Sequence, residues 1–272
     1  MKQSKDNTDV NVSDAALNHL RIVLMHVPAD VGFIEIRAIK KTGRVESFWL
    51  PAGENGESVL TDAVEWARKH NDAGYDIYLG YCPRKEAGIG TKAGVPLMTA
   101  AYLDLDLDKF GVSRESAFEA IEDSPIKPNL VVDSGHGLHL IFFHEPTADK
   151  LAWSILQKQL ASRFKSVGAD DGFAGHEAAI LRLTPFLNQK DGTPTRILEF
   201  RSDELIQAFD DLVAAFGAKE RRKKDQKADT HLIATKGIKR ISKVIDRNRN
   251  VTLTKEAGRL RKFGWEYDEI NA

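Results

Sequence analysis

The chain predicts an α+β fold, on three observations. Two pairs of apolar, β-type runs are joined by short turns, at 32–50 and 131–143. A run of alternating leucines and aspartates, 101–109, lies between them. Apolar residues at helical spacing recur between and after these strands.

Taken in order, residues 1–13 are polar and read as a disordered tail. Residues 32–37 and 45–50 form a hairpin about Lys41, Thr42 and Gly43. Val59, Leu60, Ala63, Val64 and Ala67 mark a helix. Residues 76–79 are a strand, followed by the glycine- and lysine-containing segment 88–94. That segment lacks the residue order of a phosphate-binding P-loop and reads as a surface loop. Ser113 caps a helix running to about Asp123, and Thr147 begins a longer one with Leu151, Ile155, Leu160 and Phe164 on one side. The apolar run at 180–183 and the strand-like 196–200 follow. Ser202, with Asp203 and Glu204 in the first turn, starts a helix that Gly217 ends. Trp49 and Trp153 read as core residues. Residues 14–218 thus form the core, 219–230 a basic linker and 231–272 a helical C-terminal module. The chain stops at Ala272 within a helical pattern, as though cut from a longer protein.

Of 272 residues, 42% are hydrophobic and 29% charged, ordinary for a globular protein of one or two domains. The single cysteine, Cys82, excludes an intrachain disulfide and a cysteine-based zinc site, and fits a reducing cytoplasm. No signal-peptide or membrane-spanning run is present. The net charge of −1 conceals an asymmetry: residues 219–272 hold 16 Lys and Arg against 8 Asp and Glu, the preceding residues 23 against 32. A basic segment beside an acidic body fits a nucleic-acid footprint.

Three segments carry chemistry. In a strand, alternate residues share a face, so Asp104, Asp106 and Asp108 line one side while Leu103, Leu105 and Leu107 pack the other. Such carboxylates repel unless compensated, and hard divalent cations such as Mg²⁺, Mn²⁺ or Ca²⁺ compensate them, unless the strand is an edge whose wet face is acidic. The second segment is the turn Ser134, Gly135, His136, Gly137, with His139 on the returning strand where it could face an anion. The third is Arg182, which inside an apolar run needs a carboxylate or a substrate phosphate as partner.

Together these segments resemble the archaeo-eukaryotic primase superfamily, specifically the primase-polymerases of phages, plasmids and mobile elements. The resemblance covers roughly residues 31 to 205. Asp104 and Asp106 match the family's Asp-x-Asp strand end, and 134–139 its Ser-Gly-x-Gly-x-His turn. Asp171, with Asp170 as rival, matches the acid of its Gly-Ala-Asp segment. Arg182 through Lys190 match its last motif, with Thr184, Pro185 and Phe186 where Pro-Gly-Thr is usual, and 78–84 its Tyr-Phe-Gly-x-x-Pro-Arg strand end.

The resemblance implies an RRM-like palm catalytic core with an N-terminal α/β unit, followed by a small helical C-terminal module. It implies metal-dependent, template-directed nucleotidyl transfer for primer synthesis and DNA extension. Asp104, Asp106 and Asp171 are then ligands of Mg²⁺ or Mn²⁺ and catalytic together with His139. Ser134, Gly135, His136 and His139 hold the triphosphate, and Arg182, Lys190 and Arg84 add cationic contacts. Implied partners are a single-stranded DNA template, nucleoside triphosphates and a helicase domain downstream, in the cytoplasm of a bacterial or archaeal host with no membrane. Two other readings stand beside it. A rolling-circle initiator or relaxase would need His-hydrophobic-His and a helical tyrosine, where this chain offers His136, His139 and Tyr267. The third is a catalytically inactive single-strand-binding module.

Overall fold

No proline or glycine precedes Pro28, so nothing interrupts a helix there, and α1 runs Gln3–Met25. The disordered tail expected over 1–13 is therefore helical from Gln3 onward. The computed structural model describes residues 3–53, 56–170, 172, 175–201 and 206–224. They fall almost wholly within a unit spanning Met1–Ala218. Asp171, Ser202, Asp203, Glu204, Tyr267 and the expected module at 231–272 lie outside the described residues.

After α1 come β1 Phe33–Lys40, β2 Val45–Pro51, α2 Glu57–Asp72, β3 Tyr75–Gly80 and β4 Met98–Leu105. Then follow the short α3 Leu107–Phe110, α4 Arg114–Glu122, β5 Leu130–Asp133, β6 Leu138–Thr147 and α5 Lys150–Arg163. The chain continues through β7 Ile180–Arg182, β8 Leu187–Asn188, β9 Thr193–Pro194, β10 Arg196–Phe200 and α6 Phe209–Lys224. Two four-stranded antiparallel sheets result, ordered β2-β1-β3-β7 and β10-β5-β6-β4, with β8-β9 as a small separate ribbon. The α+β expectation and both hairpins hold.

One face of the second sheet is covered by helices. Ala101, Leu103 and Leu105 of β4 and Leu138, Leu140 and Phe142 of β6 pack with Leu156, Leu160 and Phe164 in one buried cluster. The alternate residues, Asp104 and His139 among them, consequently face away from that core.

β4 is an edge strand, and its free edge is satisfied by side chains and by a returning loop. The Trp153 indole donates to Ala100 O (3.0 Å), and Gln157 accepts from Tyr102 N (3.0 Å) and donates to Tyr102 O (3.1 Å). Further along, Asp170 N donates to Asp104 O (3.0 Å) and Asp106 N to Gly168 O (3.0 Å). The edge is thereby closed, and residues 168–170 are laid beside the end of β4.

Four expectations change. β4 stops at Leu105, and Asp106 instead caps α3, accepting from Lys109 N; the three aspartates do not form one strand face. On α5 the buried stripe is Trp153, Leu156, Gln157, Leu160 and Ala161, while Leu151 is 73% exposed and Ile155 44%. The polar Gln157, buried because it serves the β4 edge, disguises that stripe in the sequence. α6 begins at Phe209 and continues through Gly217 to Lys224, so the first part of the expected linker is helical. Trp49 is only half-buried on β2, unlike the fully buried Trp153.

The edge role of Gln157 is directly measurable. Gln157→Ala strands two backbone groups and should cost about 2–5 kcal/mol in chemical denaturation, whereas Leu151→Ser should stay within about 0.5 kcal/mol.

Candidate active site

The register of the second sheet sets Asp104 opposite His139, and directly paired residues share a face. The first sheet sets Tyr78 opposite Arg182. Between them lies a cleft of ≈ 530 Å³, within the usual range of ligand sites. Asp104, Asp106, Ser134, His136, Gly137 and His139 line it from the second sheet and its turns. Lys40, Lys41, Asp76, Tyr78, Arg182 and Lys190 line it from the first sheet and the β8–β9 turn. The second-sheet wall carries Asp104 and Asp106, and the first-sheet wall the Arg182–Asp76 pair, with Lys190 on the adjoining turn.

Asp104 is the electrostatic centre. Burial, then the neighbouring charges of Asp106 and Asp170, push its carboxyl up to about 6, against the opposing pull of Arg182 and Lys109. Of Asp170 and Asp171, Asp170 is the one among the described residues, and it acts on Asp104 together with Asp106. His139 Nε2 stands 3.6 Å from Asp104 Oδ1. Burial, aided by Arg182, lowers the His139 pKa to about 3, so its imidazole is neutral. Its Nδ1 is buried with no hydrogen-bond partner among the described residues.

The turn before β6 is fixed by contacts on every side. A Cβ on Gly137 would stand 1.9 Å from Leu105 O, so no side chain fits there. Asp133 accepts from Gly135 N (3.0 Å) and from Arg114 (2.8 Å), and Asn188 donates to Ser134 O (3.3 Å). Gly135, with φ of +97°, packs against Asn188 and Thr193 rather than lining the cleft. His136 Nδ1 is 2.7 Å from Asp108 Oδ2 and its Nε2 is 3.2 Å from Asp191 Oδ2. Both ring nitrogens therefore face carboxylates, and Asp108 serves this contact rather than the acidic floor.

On the opposite wall, Arg182 pairs with Asp76 and lies over the Tyr78 ring, 4.7 Å from its centroid. Asp76 Oδ1 also accepts from Gln189 N (2.8 Å), joining β3 to the turn that carries Lys190. Arg84 does not reach the cleft, a correction to the expectation from sequence. It is fully buried, donates to Cys82 O (2.6 Å) and Ala178 O (2.9 Å), and lies 3.6 Å from Glu35. Its task is to pin loops together.

Asp76, Lys40 and Lys41 were not singled out from sequence. Asp76 had a usable signal, since it alternates with the buried Ile77 and Leu79 and so shares a face with Tyr78. The two lysines, at a hairpin turn, had none.

The donor set suits a hard cation. Among the described residues no three His, Cys, Asp or Glu side chains converge on one point. Magnesium is usually held by one or two carboxylates, with substrate phosphates and water completing its shell. Asp104 and Asp106 supply such a pair, and the Asp104 pKa, raised by burial and then by the charges of Asp106 and Asp170, marks a cost that a cation would relieve.

The architecture is that of a primase catalytic domain. The catalytic domain of primase RepB′, solved in complex with initiator DNA, aligns with a TM-score of 0.51 at 16% identity, over 79% of this chain and 100% of that one. The AEP domain of the cyanophage S-2L primase-polymerase aligns with a TM-score of 0.49 at 17% identity, over 75% of this chain and 97% of that one. In sequence, the chain is 31% identical over 110 residues to a replication protein of Clostridium perfringens. That match takes in 38% of this chain and spans about a quarter, 27%, of the relative's length. No protein-family profile matches the chain. Among the described residues no helix is long and apolar enough to cross a membrane.

The Asp104 environment predicts a pH signature in metal-free buffer. Because its folded pKa is raised, its protonated form adds stability below about pH 4, and that stability is lost as pH rises through about 6. Wild-type melting temperature should fall relative to Asp104→Asn between pH 4 and 8; parallel melting curves would refute the assignment.

Proposed function

We propose that this chain is a DNA-dependent primase-polymerase of the archaeo-eukaryotic primase superfamily, catalysing template-directed nucleotidyl transfer. The observation that carries this reading is the placement of Asp104, crowded by Asp106 and Asp170 and opposite a neutral His139, in a cation-walled cleft of a primase-type fold. In this reaction a 3′-hydroxyl attacks the α-phosphate of a nucleoside triphosphate and pyrophosphate leaves.

Each residue then has a task. Asp104 and Asp106 hold Mg²⁺ or Mn²⁺, with Asp170 or Asp171 completing the acidic set. A cation so held would supply positive charge where negative charge builds up on the attacking and leaving oxygens. His139, with Nδ1 buried, presents Nε2 to the cleft and can donate to a triphosphate oxygen. The Ser134 hydroxyl lines the same wall. Arg182, already oriented by Asp76 and Tyr78, offers a second phosphate contact at little further entropic cost. Lys190 adds a point charge. His136, paired with Asp108 through Nδ1, fixes the turn and lines the cleft, where it can add a triphosphate contact.

The decisive assay mixes the full chain with single-stranded template, dNTPs and Mn²⁺, with and without a primer. New strand synthesis is expected, lost on chelation and in Asp104→Asn and Asp106→Asn. A covalent tyrosyl-DNA product would select the relaxase reading, and binding without synthesis the inactive module. His139→Ala should weaken nucleotide binding about 10- to 100-fold, the worth of one hydrogen bond to a charged group, with little change in affinity for a DNA strand. An equal loss of thermal stability without specific nucleotide loss would make His139 a purely structural residue.

A further inference from the structure

One buried histidine has no part in the reaction as described. His19 of α1 shares a helix stripe with Ala16, Leu20 and Val23, and all are fully buried. A polar side chain so enclosed needs partners, and His19 finds them on two other segments. Its Nδ1 accepts from Thr184 N (3.2 Å) and stands 3.0 Å from Thr184 Oγ1. Its Nε2 is 2.8 Å from Tyr81 OH. Burial pushes its pKa down to about 3, so the ring stays neutral and Nδ1 stays an acceptor.

These bonds bear on Arg182. β7 is a three-residue strand at the edge of the first sheet, and Arg182 is its last residue. Strand ends open first unless something holds the chain beyond them. Beyond Arg182 the hold passes to Leu183 N, which donates to Ile77 O (3.0 Å), and then to Thr184 at His19. Asp76 thus fixes the guanidinium, and His19 the backbone that delivers it. Thr184 is also where the chain departs from the primase superfamily's last motif, in which proline is usual at that place. Proline has no N–H and no hydroxyl to give. Thr184 has both, and both meet Nδ1 of a helix that precedes the segment resembling the family.

We propose that His19 is a positioning residue of the cleft: by holding Thr184 it sets where Arg182 presents its guanidinium to a phosphate. The proposal rests on the primase-polymerase reading for the identity of that phosphate, and it makes α1 part of the triphosphate subsite's construction.

The test measures the affinity of the full chain for inorganic triphosphate and for dATP with Mn²⁺. His19→Leu should weaken both about 10-fold, the lower end of what a hydrogen bond to a charged group is worth. In an Arg182→Gln background the same change should cost less than about twofold, because the group it places is gone. Asn carries its side-chain oxygen where His has Nδ1, and Gln where His has Nε2. His19→Asn should therefore recover most of the loss and His19→Gln should not, whereas packing alone predicts the opposite order, since Gln fills more of the volume. Thr184→Val, which removes one of the two Thr184 bonds and little volume, should show a smaller loss and decides the matter if His19→Leu does not fold. Unchanged triphosphate affinity in these variants, an equal loss with and without Arg182, or a wild-type chain that binds neither probe overturns the positioning role. A wild-type chain that binds triphosphate with this dependence on His19 but extends no primer sinks the catalytic reading and leaves the positioning role standing. Primer extension that is indifferent to His19 does the reverse.

Discussion

Asp104 and His139 face each other across β4 and β6, and both titrate away from their free values, the carboxyl up to about 6 and the imidazole down to about 3. Burial and two neighbouring acids hold the carboxyl toward its protonated form; burial keeps the imidazole neutral. A pair so placed adds little to stability, since two partly buried polar groups lose hydration and gain only a 3.6 Å contact. The physical rationale for such a floor is an incoming charged ligand that repays the desolvation.

The rest of the fold serves to hold that floor rigid. β4 would be an open edge at the very point where the acids emerge. Trp153 and Gln157 of α5 close its middle, and residues 168–170 close its end. The same closure brings Asp170 to bear on Asp104, so edge protection and charge crowding come from one arrangement. Gly137 then lets the β5–β6 turn press against Leu105 O, and His136 ties that turn to Asp108 and toward Asp191. Across the cleft, Asp76 binds Arg182 and Gln189 N together. A second buried histidine steadies the same wall: His19 of α1 meets Tyr81 OH at 2.8 Å and Thr184 Oγ1 at 3.0 Å. His19 Nδ1 also accepts from Thr184 N (3.2 Å), which leaves Nε2–H to donate to Tyr81.

Much of this was legible in the sequence because period and turn chemistry are local. The hairpins about Gly43 and Gly137 and the helix through Val64 follow from residues close in the chain. So did the grouping of Asp104, Asp106, Ser134, His139, Arg182 and Lys190, through motif order. What escaped was set by distant partners. Asp106 and Asp108 looked like a continuing strand face, but Asp106 caps α3 while still lining the cleft, and Asp108 pairs with His136 instead. Gln157, a polar residue on α5, is buried because it bonds the β4 edge at Tyr102. Arg84 has the residue type of a phosphate ligand, yet it is enclosed by Glu35, Cys82 O and Ala178 O, which no local pattern announces.

The central proposal is that Asp104, crowded by Asp106 and Asp170, binds a divalent cation. Titrating Mn²⁺ into the full chain at pH 5.5 and at pH 8, with proton release measured alongside binding, tests it directly. Affinity should rise as pH passes about 6, protons should be released at pH 5.5 and not at pH 8, and Asp104→Asn should lose both effects. Mn²⁺ binding that is independent of pH and unchanged in Asp104→Asn would contradict the account.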